Sequence, residues 1–490
     1  MGIFRRFFSF VASLFKRKQV KALPPRRIVF SYARKFLCDE EADVYYSDDF
    51  FLGKPKAYNP SLATLSMAFS MASFSSNKIK EDFQKQAGNA VDFLKKCGFS
   101  EVEIPPYFLR ESTPSGVAYA LASKHIGDRK GFTLIAVGVR GANYGREWSS
   151  NFYVGEGDDH EGFALAAKKV KIAVEEYIAS HPFKGEIRFW ITGYSRGAAI
   201  ANCLAHEIPS ISLPKKMKLG GVYAYCFACP NLTQSSGDKD PIFNIINPSD
   251  IVPRMPFGSW GYRRYGTDID FPSPKVGSYD SLLASTSSFR EEDFGDPRRF
   301  ELCSLDMAHI LDKRRRIRKV DATPAHHKPD FLDELENQFA PNVTMAVYRS
   351  AYQKALCDVM ALVDPRQENP YRTIGDFVSE VFHAAYEDIG ALRLIGKVLS
   401  SKTDWEATLG PTISRCLEGK PYQIEEKALT HLVGDFFTRI RGELFKRKEF
   451  YLTLMDKENL SSLILEHDPL LYFSFLKGMD PNYGGLALTE

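Results

Sequence analysis

The stretch RFWITGYSRGAAIANCLAHE constrains this chain more than any other. It passes from a continuous apolar run, EIRFWITG (186–193), into a helical pattern that begins at Gly197, with Ser195 at the junction between two glycines. A buried strand that turns at once into a helix bends sharply, and the residues around such a bend have no room for side chains. That accounts for Gly193 and Gly197 together, whereas a plain turn with a serine helix cap accounts for only one of them. The G-x-S-x-G elbow holds its hydroxyl clear of the backbone at the end of a strand, so Ser195 is the candidate nucleophile. The same geometry sets the N–H of Arg196, and the positive end of the helix, beside the place where an oxyanion would form.

The neighbouring segments alternate in type. GFTLIAVGV (131–139) reads as a strand, GFALAAKKVKIAVEEYIASH (162–181) as an amphipathic helix, and GGVYAYCFA (220–228) and PIFNIIN (241–247) as further strands. This order predicts the α/β class, with a mostly parallel sheet covered on both faces and a ligand site beyond the carboxyl ends of its strands. Upstream, SLATLSMAFSMASF and EDFQKQAGNAVDFLKKCGF read as helices, the second ending at Gly98. Beyond about residue 275 the texture changes: residues 325–455 read as a helical layer or subdomain with little strand alternation, and KRRRIRK (313–319) as a solvated basic segment.

At 490 residues and 44% hydrophobic, the chain has material for a large core plus an accessory region. Its 64 basic residues are balanced by 61 acidic ones, which removes the electrostatic case for a nucleic-acid partner. The eight cysteines have no disulfide-rich or zinc-like rhythm; Cys226 and Cys229, in a strand-like run, read as buried structural residues. Their pattern leans towards a reducing compartment.

A serine needs an imidazole to take its proton and a carboxylate to orient that imidazole. In the chain order serine, acid, histidine, the acid follows the next strands. Asp250, in NIINPSDIVPRMP, lies just past a strand on a loop stiffened by Pro248 and Pro253; Asp268 and Asp270 are rivals. For the base, His309 in LDMAHILD needs the shortest excursion, while His467 in LILEHDPLLYFSFL requires the helical region to be an insertion. Loop closure costs grow only logarithmically, so distance along the chain decides nothing. His383 and His431 sit in helical periodicity and read as packing or surface residues. A second oxyanion donor is expected where 131–139 ends: Gly141 allows a close approach, so the N–H of Ala142 can face the developing charge, and Arg140 reads as an ion-pair residue.

Together these blocks resemble the class 3, fungal-type lipase family of the α/β-hydrolase superfamily. The resemblance rests on VRGANYGREWSSNF with HEGF (160–163), on ITGYSRGAAIANCLA, and on NPSDIVPRMP with GYRRYGTDI, spanning about residues 60 to 272. It implies a serine hydrolase acting on lipid esters, with Ser195 and Asp250 in its triad. H467-D-P-L-L-Y472 is similar to a late H-x-P-x-x-Y block of bacterial relatives, which favours His467 as base over His309. Two departures stand out. Ala142 occupies a position where the family often has serine or threonine, and Tyr194 stands where histidine is more usual, a change expected to bear on packing rather than chemistry.

The implied organisation is a basic amphipathic segment (1–25), a hydrolase core carrying nucleophile and acid (26–275), a mainly helical insertion or cap (276–455) and a C-terminal segment returning the histidine (456–490). The implied reaction is cleavage of acylglycerol or related lipid esters through an acyl-enzyme, with no cofactor or metal required. A phospholipase and a non-catalytic lipid- or protein-binding scaffold are the alternatives. Residues 3–18 place Ile3, Phe4, Phe7, Phe8, Val11, Leu14 and Phe15 on one helical face with basic residues largely elsewhere, the pattern of a helix lying on a membrane surface. The apolar run there is too short to span a bilayer and is followed by KRK rather than a cleavage site, so the expected location is cytoplasmic and peripheral to a membrane, with non-classical secretion as the other route.

Overall fold

The computed structural model describes residues 25–34, 38–74, 88–105, 116–128, 131–141, 157–235, 240–248, 250–271, 402–418 and 466–483, with single positions scattered between them. In chain order the elements are β1 (Arg26–Arg34), β2 (Cys38–Tyr46), α1 (Pro60–Ala72), α2 (Gly88–Lys96), β3 (Ser100–Glu103), β4 (Tyr119–Ile126) and β5 (Phe132–Val139). They continue with α3 (Glu161–Ser180), β6 (Gly185–Tyr194), α4 (Arg196–Glu207), β7 (Met217–Phe227), β8 (Ile242–Ile246), β9 (Thr267–Asp270), α5 (Trp405–Leu417) and α6 (Pro469–Met479).

Seven strands form one sheet in the order β3-β4-β5-β6-β7-β8-β9, antiparallel as far as β5 and parallel from β5 to β9. Both faces are buried, and the strands show why their sequences are continuously apolar rather than alternating. In β5, Leu134 and Ala136 enter one core while Ile135, Val137 and Val139 enter the other; in β7, Tyr223, Tyr225 and Phe227 oppose Val222, Ala224 and Cys226. The second core is closed by α3 and α4. The first is closed by α1, α2, α6 and the β1–β2 hairpin. Helix α1, capped by the Asn59 side chain and started by Pro60, is buried from Ser61 to Ala72, because it has the sheet on one side and other elements on the other.

This is the mostly parallel sheet flanked by helices that the segment order predicts. The structure adds strands that the sequence reading did not contain: β1 to β4 and β9. In the hairpin, Ile28, Phe30 and Tyr32 alternate with outward Arg27 and Val29, and their buried face meets Phe93 of α2 and Phe473 of α6 edge-on. Helix α5, with Pro411 inside it, lies in the region expected to be helical. Most of 276–455, together with residues 1–24, lies outside the described residues. Among the described residues, no helix is long and apolar enough to cross a membrane.

Candidate active site

Strand β6 ends at Tyr194, α4 begins at Arg196, and Ser195 makes the whole turn between them with φ 56° and ψ −128°. A side chain held at positive φ costs about 1–3 kcal/mol and persists only where its surroundings enforce it. Here the glycines do so. A Cβ on Gly193 would stand 2.3 Å from the Gly197 carbonyl oxygen, and one on Gly197 would stand 2.4 Å from that of Val139. The Ser195 N–H donates to the Phe227 carbonyl at 2.9 Å, pinning the elbow to β7, while its own carbonyl accepts from Ala198 and starts the helix.

The Ser195 hydroxyl reaches an imidazole, that of His467, whose Nε2 lies 2.9 Å from Oγ. Nδ1 of the same ring lies 2.7 Å from Oδ2 of Asp250, which is fully buried. An ionised carboxylate only accepts hydrogen bonds, so Nδ1 carries the hydrogen and Nε2 is left to accept from Ser195. Asp250 is itself held: the Val252 N–H donates to Oδ1 at 2.9 Å and the Tyr472 hydroxyl donates to Oδ2 at 2.8 Å. Burial pushes the Tyr472 phenol well above its ordinary range, with the Asp250 charge adding to it, so the hydroxyl remains a donor. Asn247 donates through Nδ2 to both the backbone and side-chain oxygens of Glu466, tying the acid's loop to the residue before His467.

The other expected residues fall elsewhere. Asp268 is bound to Arg264 at 2.6 Å and to Asn244 at 3.0 Å, and Asp270 lies on the edge strand β9. His431 is exposed, and His309 and His383 lie outside the described residues. Arg196 starts α4, where backbone N–H groups point towards the end of the helix, and its guanidinium is buried and donates to the Gly116 carbonyl at 3.0 Å. Gly141 passes so close to the elbow that a Cβ there would sit 2.7 Å from the Tyr194 carbonyl oxygen, so β5 delivers the chain to the serine. Ala142 lies outside the described residues. The hydrogen bonds of Tyr194, Asn247 and Tyr472 go beyond what the sequence suggests, although Tyr472 closes the H-x-P-x-x-Y block. Tyr194 donates its hydroxyl to the His467 carbonyl at 2.7 Å, and the two rings lie 5.2 Å apart at a tilt of 31°.

Residues 136–260 match the family model described as Lipase (class 3). This segment is similar to the class 3 lipases. It holds Ser195 and Asp250, whereas His467 comes from beyond it. The match supports a lipase-like, ester-hydrolysing enzyme. Among solved structures, the chain is similar to an MDLA mutant from Penicillium cyclopium, at 18% identity over 43% of this chain and 79% of that one, with a TM-score of 0.28. It is similar also to a mono- and diacylglycerol lipase from Aspergillus oryzae (16% identity, 44% and 81% covered, TM-score 0.30). A lipase from Rhizopus microsporus var. chinensis matches at 18% identity, with 44% and 74% covered and a TM-score of 0.27. No curated protein matches the sequence.

Proposed function

We propose that this chain cleaves the carboxylic esters of lipids through an acyl-enzyme formed on Ser195. The observation that carries the reading is the unbroken hydrogen-bonded line from Ser195 Oγ through His467 to the buried Asp250. In the first step His467 Nε2 removes the hydroxyl proton as Oγ attacks the ester carbonyl, and the N–H of Arg196 faces the oxyanion, with Ala142 as the second donor expected from the sequence. The imidazolium then gives the proton to the departing alcohol. Water, deprotonated by the same ring, attacks the acyl-enzyme and releases the acid. Asp250 keeps the proton on Nδ1 throughout and stabilises the positive ring.

A lipid substrate is supported by the family and by the apolar rim beside the acid, where Met255 is exposed and Ile251 and Val252 are half-buried. The amphipathic pattern of residues 3–18 supports a site that works beside an anionic membrane surface. Labelling with a fluorophosphonate tests the mechanism: the unaltered chain is expected to label at Ser195, and Ser195→Ala to lose both label and hydrolysis of p-nitrophenyl esters. An unaltered, folded chain that does not label would reduce the triad to a relic on a non-catalytic scaffold. A series of ester chain lengths then separates a lipase from a short-chain esterase. For the amphipathic segment, a soluble reporter carrying residues 1–20 should sediment with anionic vesicles.

A further inference from the structure

Resting on the ester-hydrolase reading above, we infer that Tyr194 is the positioning residue of the base: it ties the backbone of His467 to the strand that carries the nucleophile. The need for such a tie follows from the chain path. Ser195 and His467 are 272 residues apart, yet their reacting atoms must be held within a few tenths of an ångström. The ladder of α6 does not reach His467. Its first acceptor is the Asp468 carbonyl, which takes the N–H groups of Leu471 and Tyr472, so the base stands one residue outside the helix.

The side chains of Asn247 and Tyr194 grip the backbone of this stretch. Asn247, on the acid's side, grips Glu466 through its carbonyl and its carboxylate at 3.0 and 2.8 Å. Tyr194, on the nucleophile's side, donates to the His467 carbonyl at 2.7 Å. Tyr194 is the last residue of β6 and adjoins Ser195, so the bond closes a minimal circuit: serine, tyrosine, histidine backbone, imidazole, serine. Its ring is fixed in turn, being 4% exposed and edge-on to Phe74 at 6.4 Å and to Tyr472 at 5.8 Å. The imidazole lies along the ring's face at 5.2 Å, which limits its rotation about the side-chain bonds. Histidine at this position, as the family resemblance suggests is more usual, has a shorter reach than a phenol. The sequence expectation that Tyr194 concerns packing alone is therefore too narrow.

The experiment compares Tyr194→Phe, which removes only the hydroxyl, with Tyr194→Leu, which also removes the ring, using p-nitrophenyl ester kinetics and thermal melting. Tyr194→Phe should lower kcat about tenfold while KM stays within about twofold and the melting midpoint moves by only a few degrees; Tyr194→Leu should lose about a further tenfold. A structural role would produce the same loss in any background, so each change is repeated in His467→Ala. There, Tyr194→Phe should have no effect on the residual rate, because the residue it acts through is gone. An unchanged kcat in Tyr194→Phe, or an equal loss in both backgrounds, overturns the assignment. An unaltered chain without Ser195-dependent fluorophosphonate labelling overturns the ester-hydrolase reading first, and this role with it.

Discussion

The imidazole of His160 is completely buried at the start of α3, stacked on Phe163 at a centroid distance of 4.0 Å. Its Nε2 donates to the Asn151 carbonyl at 3.0 Å, and Nδ1 has no hydrogen-bond partner among the described residues. Burial, with a smaller contribution from the Arg196 charge, lowers its pKa from 6.5 to about 4. The unfolded chain therefore takes up a proton as pH falls through about 6.5, while the folded chain resists until about 4. Stability is full above 6.5 and is lost across that window, by on the order of 3 kcal/mol. Urea unfolding at pH 7 and pH 4.5 should show the acid loss shrinking by about 2–3 kcal/mol in His160→Phe; an undiminished loss would mean that the proton is taken up elsewhere. Tyr472→Phe makes a different prediction at the same scale. It leaves Asp250 with His467 and the Val252 N–H, so ester turnover should fall about tenfold through kcat, with labelling still confined to Ser195. Ser195 and Asp250 were legible in the sequence because an elbow and a loop after a strand are local features. Tyr194 and Tyr472 were not, because a phenol's partner lies hundreds of positions away and periodicity marks it only as apolar.

Helix α6 presents the base at one end and is anchored at the other. Near its C-terminus, Lys477 donates to Asp43 of the hairpin at 2.8 Å, with side chains 5% and 1% exposed, and Asp43 also accepts from Arg27 at 2.9 Å. One residue beyond the helix, Asp480 accepts from the Ser61 hydroxyl of α1 at 2.7 Å. Removing one member of a buried pair strands the other charge, so Lys477→Ala should destabilise by about 3 kcal/mol, the lower end of the usual range because Arg27 remains. The exposed pair Lys96–Asp92 gives the contrast: Lys96→Ala should cost well under 1 kcal/mol in the same urea titration. Comparable losses from both would show that the hairpin does not clamp α6. Strands β5 to β8 were legible because two buried faces make continuous apolar runs. The hairpin and β4 escaped because their polar and small residues, as in YALASKHI, give a weak signal until pairing buries them. Tertiary packing, rather than propensity, makes these segments strands.

On the scale of the whole chain, the sheet runs to β9, and among the described residues the segment that carries the base joins it from residue 466. The exit and the return are close in space: Phe271, just after β9, packs against Tyr472 at 5.3 Å and Phe475 at 5.1 Å, while its N–H donates to Ile246 in β8. A long segment whose ends meet is dispensable for closing the fold, because loop entropy depends only weakly on length and favours the shorter connection. Helix α5, within that segment, contributes to neither face of the sheet's core; its buried Leu409, Ile413 and Cys416 fall outside both clusters. Replacing residues 276–455 by a glycine–serine linker of about 15 residues, which spans roughly 20 Å, should therefore leave a folded chain that labels with fluorophosphonate at Ser195. Cleavage of short p-nitrophenyl esters should persist in that variant, since Ser195, His467 and Asp250 and their supporting tyrosines all lie outside the excised part. If the helical segment builds the acyl site, the same variant should lose its preference for longer chains while keeping the short-chain rate. Failure to label, in a chain that still melts cooperatively, would place part of the serine's activation inside residues 276–455.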